Sequence, residues 1–146
     1  QIRGSDAKRN LMARMLDTNV LLDILTADQR WLAWSQTQFR AASKEGPILI
    51  NPIVYSEIAA AFASREELDH WLRPGLFKRV PLPFEAGFRA SRAFLAYRLT
   101  GGNRSSPLPD FYIGAHAEWS GLTLVTRDVA RYRTYFPEVK LVTPGR

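Results

Sequence analysis

The chain of 146 residues contains no cysteine. That excludes disulfides and thiolate-held metal clusters, and it suits a reducing compartment, so a cytoplasmic protein is expected. Histidine is nearly as scarce, with only two in the sequence. His70 and His116 stand far apart and no H-E-x-x-H run is present, so a zinc site is not expected. No apolar run approaches the roughly 18 residues that span a bilayer, so no membrane partner is expected. A G-x-S-x-G nucleophile elbow is missing, as is any visible Ser-His-Asp set. Gly101-Gly102-Asn103 lacks the lysine of a phosphate-binding loop and reads as a helix stop.

What is present describes a folded domain. Hydrophobic residues make up 46% and charged residues 23%, enough for one domain with a real core. Twenty Lys and Arg against 14 Asp and Glu give a net charge of +6 and a pI near 10.1. A basic surface favours polyanions, of which nucleic acid is the commonest, although such charge also serves solubility alone. Residues 1–11 are expected to be an added or disordered tail, since Gly4-Ser5 is of the kind left by cloning. Residues 12–146 are expected to form a single domain, without repeats or low-complexity tracts.

Strand and helix patterns alternate along it. Short apolar stretches at 12–16, 48–50, 122–126 and 139–142 read as strands, and 77–82 as an edge strand or loop because of Pro81 and Pro83. Helical spacing covers 18–25, 29–44, 52–62, 65–72, 84–99 and 110–119. In the helix over 84–99, Phe88, Ala90, Phe94, Leu95 and Leu99 are expected on or near one face. Such alternation implies a parallel sheet covered on both faces.

Ligands of open α/β sheets sit at the carboxyl ends of the strands. Asp17 and Asp128 each follow a strand, and Asp110 opens the helix that feeds the fourth. Each reads alone as a helix cap or a partner of the helix dipole. Glu57 has no such role. It lies mid-helix in "NPIVYSEIAAAFA", with Ile53, Val54, Ala60 and Ala61 on its face, so its charge needs a partner. An internal arginine pair is one answer. A bound Mg²⁺ or Mn²⁺ accounts for all four acids together, because these ions take oxygen ligands and relieve carboxylate repulsion. Such a site activates water against phosphodiesters. A phosphatase of the haloacid-dehalogenase type requires an acid two residues after Asp17, where Asn19 stands instead.

Four segments carry a family resemblance: "MLDTNVLLD", "YSEI", "LPDFYIGAHA" and "TLVTRDVARYRTYFP". In order and spacing they resemble the PIN-domain family, and within it the VapC-type toxin ribonucleases of toxin–antitoxin pairs. The resemblance implies a three-layer α/β/α sandwich around a central, mainly parallel five-stranded sheet. It implies an endoribonuclease with Asp17, Glu57, Asp110 and Asp128 as an acidic quartet around Mg²⁺ or Mn²⁺. Asp17 and Asp110 would be the direct metal ligands, with Thr18, Asn19 and Thr126 orienting carboxylates and water. It further implies an RNA substrate, a small antitoxin protein as inhibitor, and a homodimer. A catalytically silent RNA-binding module and a nuclease without an antitoxin are the alternatives.

Other residues stand outside that pattern. Asp23, six residues after Asp17, is expected to face solvent or pair with a basic side chain. Arg104, Arg127, Arg131 and Arg133, beside Tyr132 and Tyr135, are candidates for gripping RNA phosphates and bases, or form a solvated basic surface. Trp31, Trp34, Trp71 and Trp119 are expected in the core or at a subunit interface.

Overall fold

The computed structural model describes residues 13–104 and 108–145. The tail over 1–11, Met12 at the start of the first strand, and part of the loop before Pro109 lie outside the described residues. The elements run β1 (Arg14–Leu16), α1 (Thr18–Leu25), α2 (Leu32–Glu45), β2 (Ile48–Ile50), α3 (Pro52–Ala59), α4 (Arg65–Trp71) and β3 (Phe77–Arg79). They continue with α5 (Phe84–Leu99), α6 (Pro109–Ser120), β4 (Thr123–Val125), α7 (Val129–Tyr135) and β5 (Lys140–Val142).

The five strands pair in the order β3-β2-β1-β4-β5, every pair parallel. Helices cover both faces, giving the expected α/β/α sandwich. Met15 is the centre of the sheet, opposite Leu49 on one side and Leu124 on the other. The chain builds outward from β1 to β2 and β3, then returns to add β4 and β5 on the far side. A crevice therefore opens at the carboxyl ends of β1 and β4, where the winding direction reverses.

Burial follows the layering. Met15, Leu16, Ile48, Ile50, Leu124 and Val125 are buried from the strands, joined by Val20, Leu21, Val54, Ile58, Phe111 and Ile113 from the helices. α6 lies close to Phe136, because Gly114 leaves space where a methyl group would overlap the ring. Among the described residues, no helix is long and apolar enough to cross a membrane.

Several boundaries differ from the sequence pattern for local reasons. α2 starts at Leu32 rather than Gln29, because the Asp28 carboxylate accepts the amides of Arg30 and Trp31 and holds a turn there. α3 ends at Ala59 rather than Phe62. Past it, Ser64 caps α4 through the Glu67 amide while Glu67 accepts the Ala63 amide, and this reciprocal cap needs a break in the helix. β3 is an edge strand, stopping at Arg79 before Pro81. α5 departs most from expectation. Ala90 and Phe94 are buried, but Phe88, Leu95 and Leu99 are exposed, so they occupy opposite sides of the helix.

Candidate active site

Asp17 is carried to the crevice by the sheet itself. It directly follows β1, and its amide donates to the Val125 carbonyl of β4 at 2.8 Å. Its extended backbone makes it the N-cap of α1, with Oδ1 accepting the Thr18 amide at 2.8 Å. The cap interpretation is thus correct for one oxygen. The other oxygen is used differently. Oδ2 accepts the Thr126 hydroxyl at 2.8 Å and the Tyr132 hydroxyl at 3.0 Å, with the Asn19 amide at 3.4 Å. A cap needs none of these donors.

Thr18 links the first acid to the second. Its amide serves Asp17, and its hydroxyl donates to Glu57 Oε1 at 2.7 Å. Glu57 is half-buried on α3 rather than enclosed in its apolar stripe, and its partner is this threonine, not an arginine. Asp110 lies in the first turn of α6, after Leu108 as N-cap and Pro109. Its Oδ2 stands 3.6 Å from Arg131 Nη1. Asp128 is the N-cap residue of α7, yet its side chain makes no capping bond. Its amide donates to the Thr126 hydroxyl oxygen at 3.0 Å, so Thr126 connects Asp17 to the Asp128 backbone.

The carboxylates feel one another. Burial pushes Asp17 up from the usual carboxylate range, Glu57 adds repulsion, and the Thr126, Tyr132 and Thr18 donors oppose it. Asp110 is pushed up to about 6, first by burial, then by the charges of Asp17 and Asp128, against the pull of Arg131. Tyr132 is held well above its ordinary value by burial and by Asp17, Asp110 and Asp128, which keeps its hydroxyl a donor. The crevice is a concentrated negative field inside a basic protein.

One feature escaped the sequence and another was read in one of its two alternatives. Tyr132 is wholly buried, so its ring is not available for stacking on bases. Asp23 pairs with a basic side chain, the second of its two expectations, and is buried with 3% exposure rather than facing solvent. It accepts the Ser35 hydroxyl at 2.7 Å and both Nε and Nη2 of Arg127, at 2.7 and 2.9 Å. The Arg127 guanidinium also lies over the Trp31 ring, 5.0 Å from its centroid. That guanidinium is committed within the fold. Arg131 keeps one face toward Asp110 and lies 5.5 Å from the Phe111 ring centroid, while Arg104 and Arg133 are exposed. The remaining histidine of interest, His116, is buried against the Asn51 amide at 3.1 Å and lowered by that burial. The clue to Asp23 was present in "VLLDIL", an acid inside an apolar run.

The donor set suits a hard dication. It offers carboxylate and hydroxyl oxygens, and a positive charge would offset the burial and the added repulsion that raise Asp17 and Asp110. Among the described residues, no group of three or more His, Asp or Glu side chains is arranged to hold a metal ion by itself. That is compatible with Mg²⁺, which takes one or two carboxylates and keeps several waters.

Comparison with known proteins places this architecture. No curated protein matches the chain in sequence. Among solved structures, VapBC2 from Rickettsia felis, bound to a DNA fragment from its promoter, is similar at TM-score 0.67 and 18% identity. The match covers 91% of this chain and 99% of that one. DNA-bound VapBC from Salmonella typhimurium is similar at TM-score 0.64 and 18% identity, over 90% of this chain and 97% of that one. FitAcB from Neisseria gonorrhoeae is similar at TM-score 0.58 and 19% identity, over 88% and 95% respectively. At these identities the likeness speaks for the fold. The PIN domain model matches residues 14–137. This chain therefore belongs to the PIN-domain family.

Proposed function

We propose that the chain is a metal-dependent endoribonuclease that hydrolyses RNA phosphodiester bonds, acting as the toxin of a toxin–antitoxin pair. The observation that carries this reading is the position of Asp17 and Asp110 at the switch point of the sheet, both raised by burial, with the charge of Glu57 acting on Asp17 and those of Asp17 and Asp128 acting on Asp110. Asp17 and Asp110 would hold Mg²⁺ or Mn²⁺. When bound, such an ion supplies an activated water and neutralises charge on the phosphoryl group.

The remaining residues do work of their own. Thr126 and Tyr132 donate to Asp17 and fix its outer oxygen, leaving the carboxylate with one orientation. Thr18 holds Glu57 toward Asp17, and Asn19 reaches both Asp17 and Thr126. Glu57 and Asp128 would accept a proton or orient water beside the metal ligands. Arg131, 3.6 Å from Asp110, and the exposed Arg104 would contact RNA phosphates, while Arg127 contributes through its hold on Asp23.

The proposed partners follow from charge. A small antitoxin would silence the site by inserting an arginine among the carboxylates, where a bidentate fork matches their geometry. The toxin role draws on the sequence resemblance and on the VapBC and FitAcB structures whose fold this chain shares. Cleavage of single-stranded RNA in millimolar Mn²⁺, abolished by chelator and restored by added metal, is the expected result. RNA that is bound but left intact under every metal condition would turn the reading toward a silent binding module.

A further inference from the structure

A second cleft opens at the carboxyl ends of β2 and β3. Val80 follows β3, and its amide donates to the Ile50 carbonyl at 2.9 Å. Both side chains line the cleft with Pro52, and Tyr55, Arg65 and Arg79 complete it. Its volume of about 450 Å³ lies within the range of small-molecule sites. α3 serves this cleft and the acidic crevice with opposite sides. Glu57 turns to Thr18, whereas Tyr55, two residues earlier and about 200° round the helix, donates to Asp69 Oδ1 at 3.1 Å. Asp69 organises the charge here. Arg79 Nη2 donates to Oδ1 at 2.6 Å, and Arg65 Nε lies 3.5 Å from Oδ2. Arg79 first, then Tyr55 and Arg65, hold Asp69 below the usual carboxylate range, so it is ionised at neutral pH. Among the described residues both guanidiniums pair with this one carboxylate, which leaves a single positive charge over. The same contact sets the Arg79 guanidinium over the Tyr55 ring, 5.0 Å from its centroid. Arg79 remains exposed, so its outer face is open to a further planar group.

We propose that this cleft binds a nucleotide, with the base among the apolar side chains against Arg79 and the phosphate on Arg65 and Arg79. Three features select that ligand. A planar ring suits the stacked Tyr55 and Arg79, because bases stack on aromatic rings and on guanidinium planes. A phosphodiester carries one negative charge, which matches the positive charge that Asp69 leaves over, and a guanidinium meets phosphate through a bidentate fork. The cleft joins both parts, since its apolar and cationic residues line one space. A purely apolar ligand would leave the charge unanswered, and a bare anion would leave Ile50, Pro52 and Val80 without a partner. An RNA strand and a free mononucleotide offer the same chemistry, and the experiment separates them. The inference rests on this cleft and not on the nuclease reading.

The test is amide NMR of the full chain in chelator, where binding is read without metal-dependent cleavage. Uridine and adenosine monophosphate at about 5 mM, a range that reports weak binding, are compared with a short single-stranded RNA and with inorganic phosphate. Nucleotide or RNA should shift Ile50, Tyr55, Arg79 and Val80 most. Shifts from both would identify a site for free nucleotides, shifts from RNA alone a site for a strand, and either supports the proposal. Arg65→Gln and Arg79→Gln should each weaken that binding roughly 10-fold or more, the effect of losing a charged hydrogen bond. Both side chains are exposed, so the variants should melt close to the parent. Arg40→Gln removes the same charge from an exposed position on α2 and should bind like the parent. A chain that binds here yet never cuts RNA would pass this test and fail the nuclease reading. No shift at the cleft from nucleotide or RNA would overturn the proposal. So would equal shifts from inorganic phosphate alone, or an equal loss of binding in Arg40→Gln.

Discussion

Arg127 grips Asp23 with both arms of its guanidinium, Nε on Oδ2 at 2.7 Å and Nη2 on Oδ1 at 2.9 Å. The pair joins residues 104 positions apart and ties the turn after β4 to α1. Thr126 and Asp128 flank Arg127, and Thr126 is a donor to Asp17. An ion pair set back from the crevice thus holds two of its walls in register.

The first expectation follows from that contact. Asp23→Asn leaves a partly buried guanidinium short of its counter-charge, a change that typically costs about 3–5 kcal/mol. Asp23→Leu combined with Arg127→Met removes both charges and should recover most of that loss, since apolar replacements of buried pairs are often neutral. Urea unfolding of the parent, the single variant and the double variant measures both steps. A single variant as stable as the parent would show that the pair does little.

The second concerns pH. Asp110 is pushed up to about 6 from an ordinary 3.8. Between those values the native protein keeps a proton that the unfolded chain has released, so metal-free stability falls as pH rises through the window. Asp110→Asn has no such proton to lose. Its stability advantage over the parent should grow from about pH 4 to about pH 6 and stay level above. The plateau should be on the order of 1 kcal/mol, after allowing for solvent screening of a carboxylate that remains 30% exposed. Melts of both proteins in chelator across that range give the difference curve. A flat difference would mean that Asp110 titrates normally.

A third expectation isolates Tyr132. Its hydroxyl donates to Asp17 in a site with no water-exposed alternative. Tyr132→Phe keeps the ring and removes the donor, which should cost about 1–3 kcal/mol of stability as a buried carboxylate loses a partner. Metal affinity or RNA cleavage should fall roughly 10–100-fold, the usual effect of losing a group that orients a ligand. A variant that cleaves like the parent would reduce Tyr132 to a packing residue.

The sequence made some of this architecture legible and concealed the rest for physical reasons. β1 and β2 were readable because Met15-Leu16 runs into Asp17 and Ile48-Leu49-Ile50 is closed by Asn51-Pro52, and alternation with helices dictated parallel pairing. The positions of Asp17 and Asp128 were readable because strand ends and helix starts have local signatures. Asp23 and Arg127 were each visible but not as a pair, since nothing local connects α1 to the turn after β4. Tyr132 looked like one aromatic among arginines, and only the packing of α7 against the crevice turns its hydroxyl toward Asp17. α5 misled for a different reason. Its helical period was correct, but both of its faces are apolar, and periodicity alone does not say which one folds inward.

The claim that Asp17 and Asp110 hold a divalent cation is tested most directly by binding of the ion itself. Mn²⁺ titration of the metal-free protein by calorimetry, with parent, Asp17→Asn and Asp110→Asn side by side, separates a metal site from a set of helix caps. The parent should bind Mn²⁺ and gain thermal stability by mass action, while each variant loses both responses. Equal binding and equal stabilisation in all three proteins would contradict the account, and would leave Asp17 as a buried cap whose second oxygen serves the fold alone.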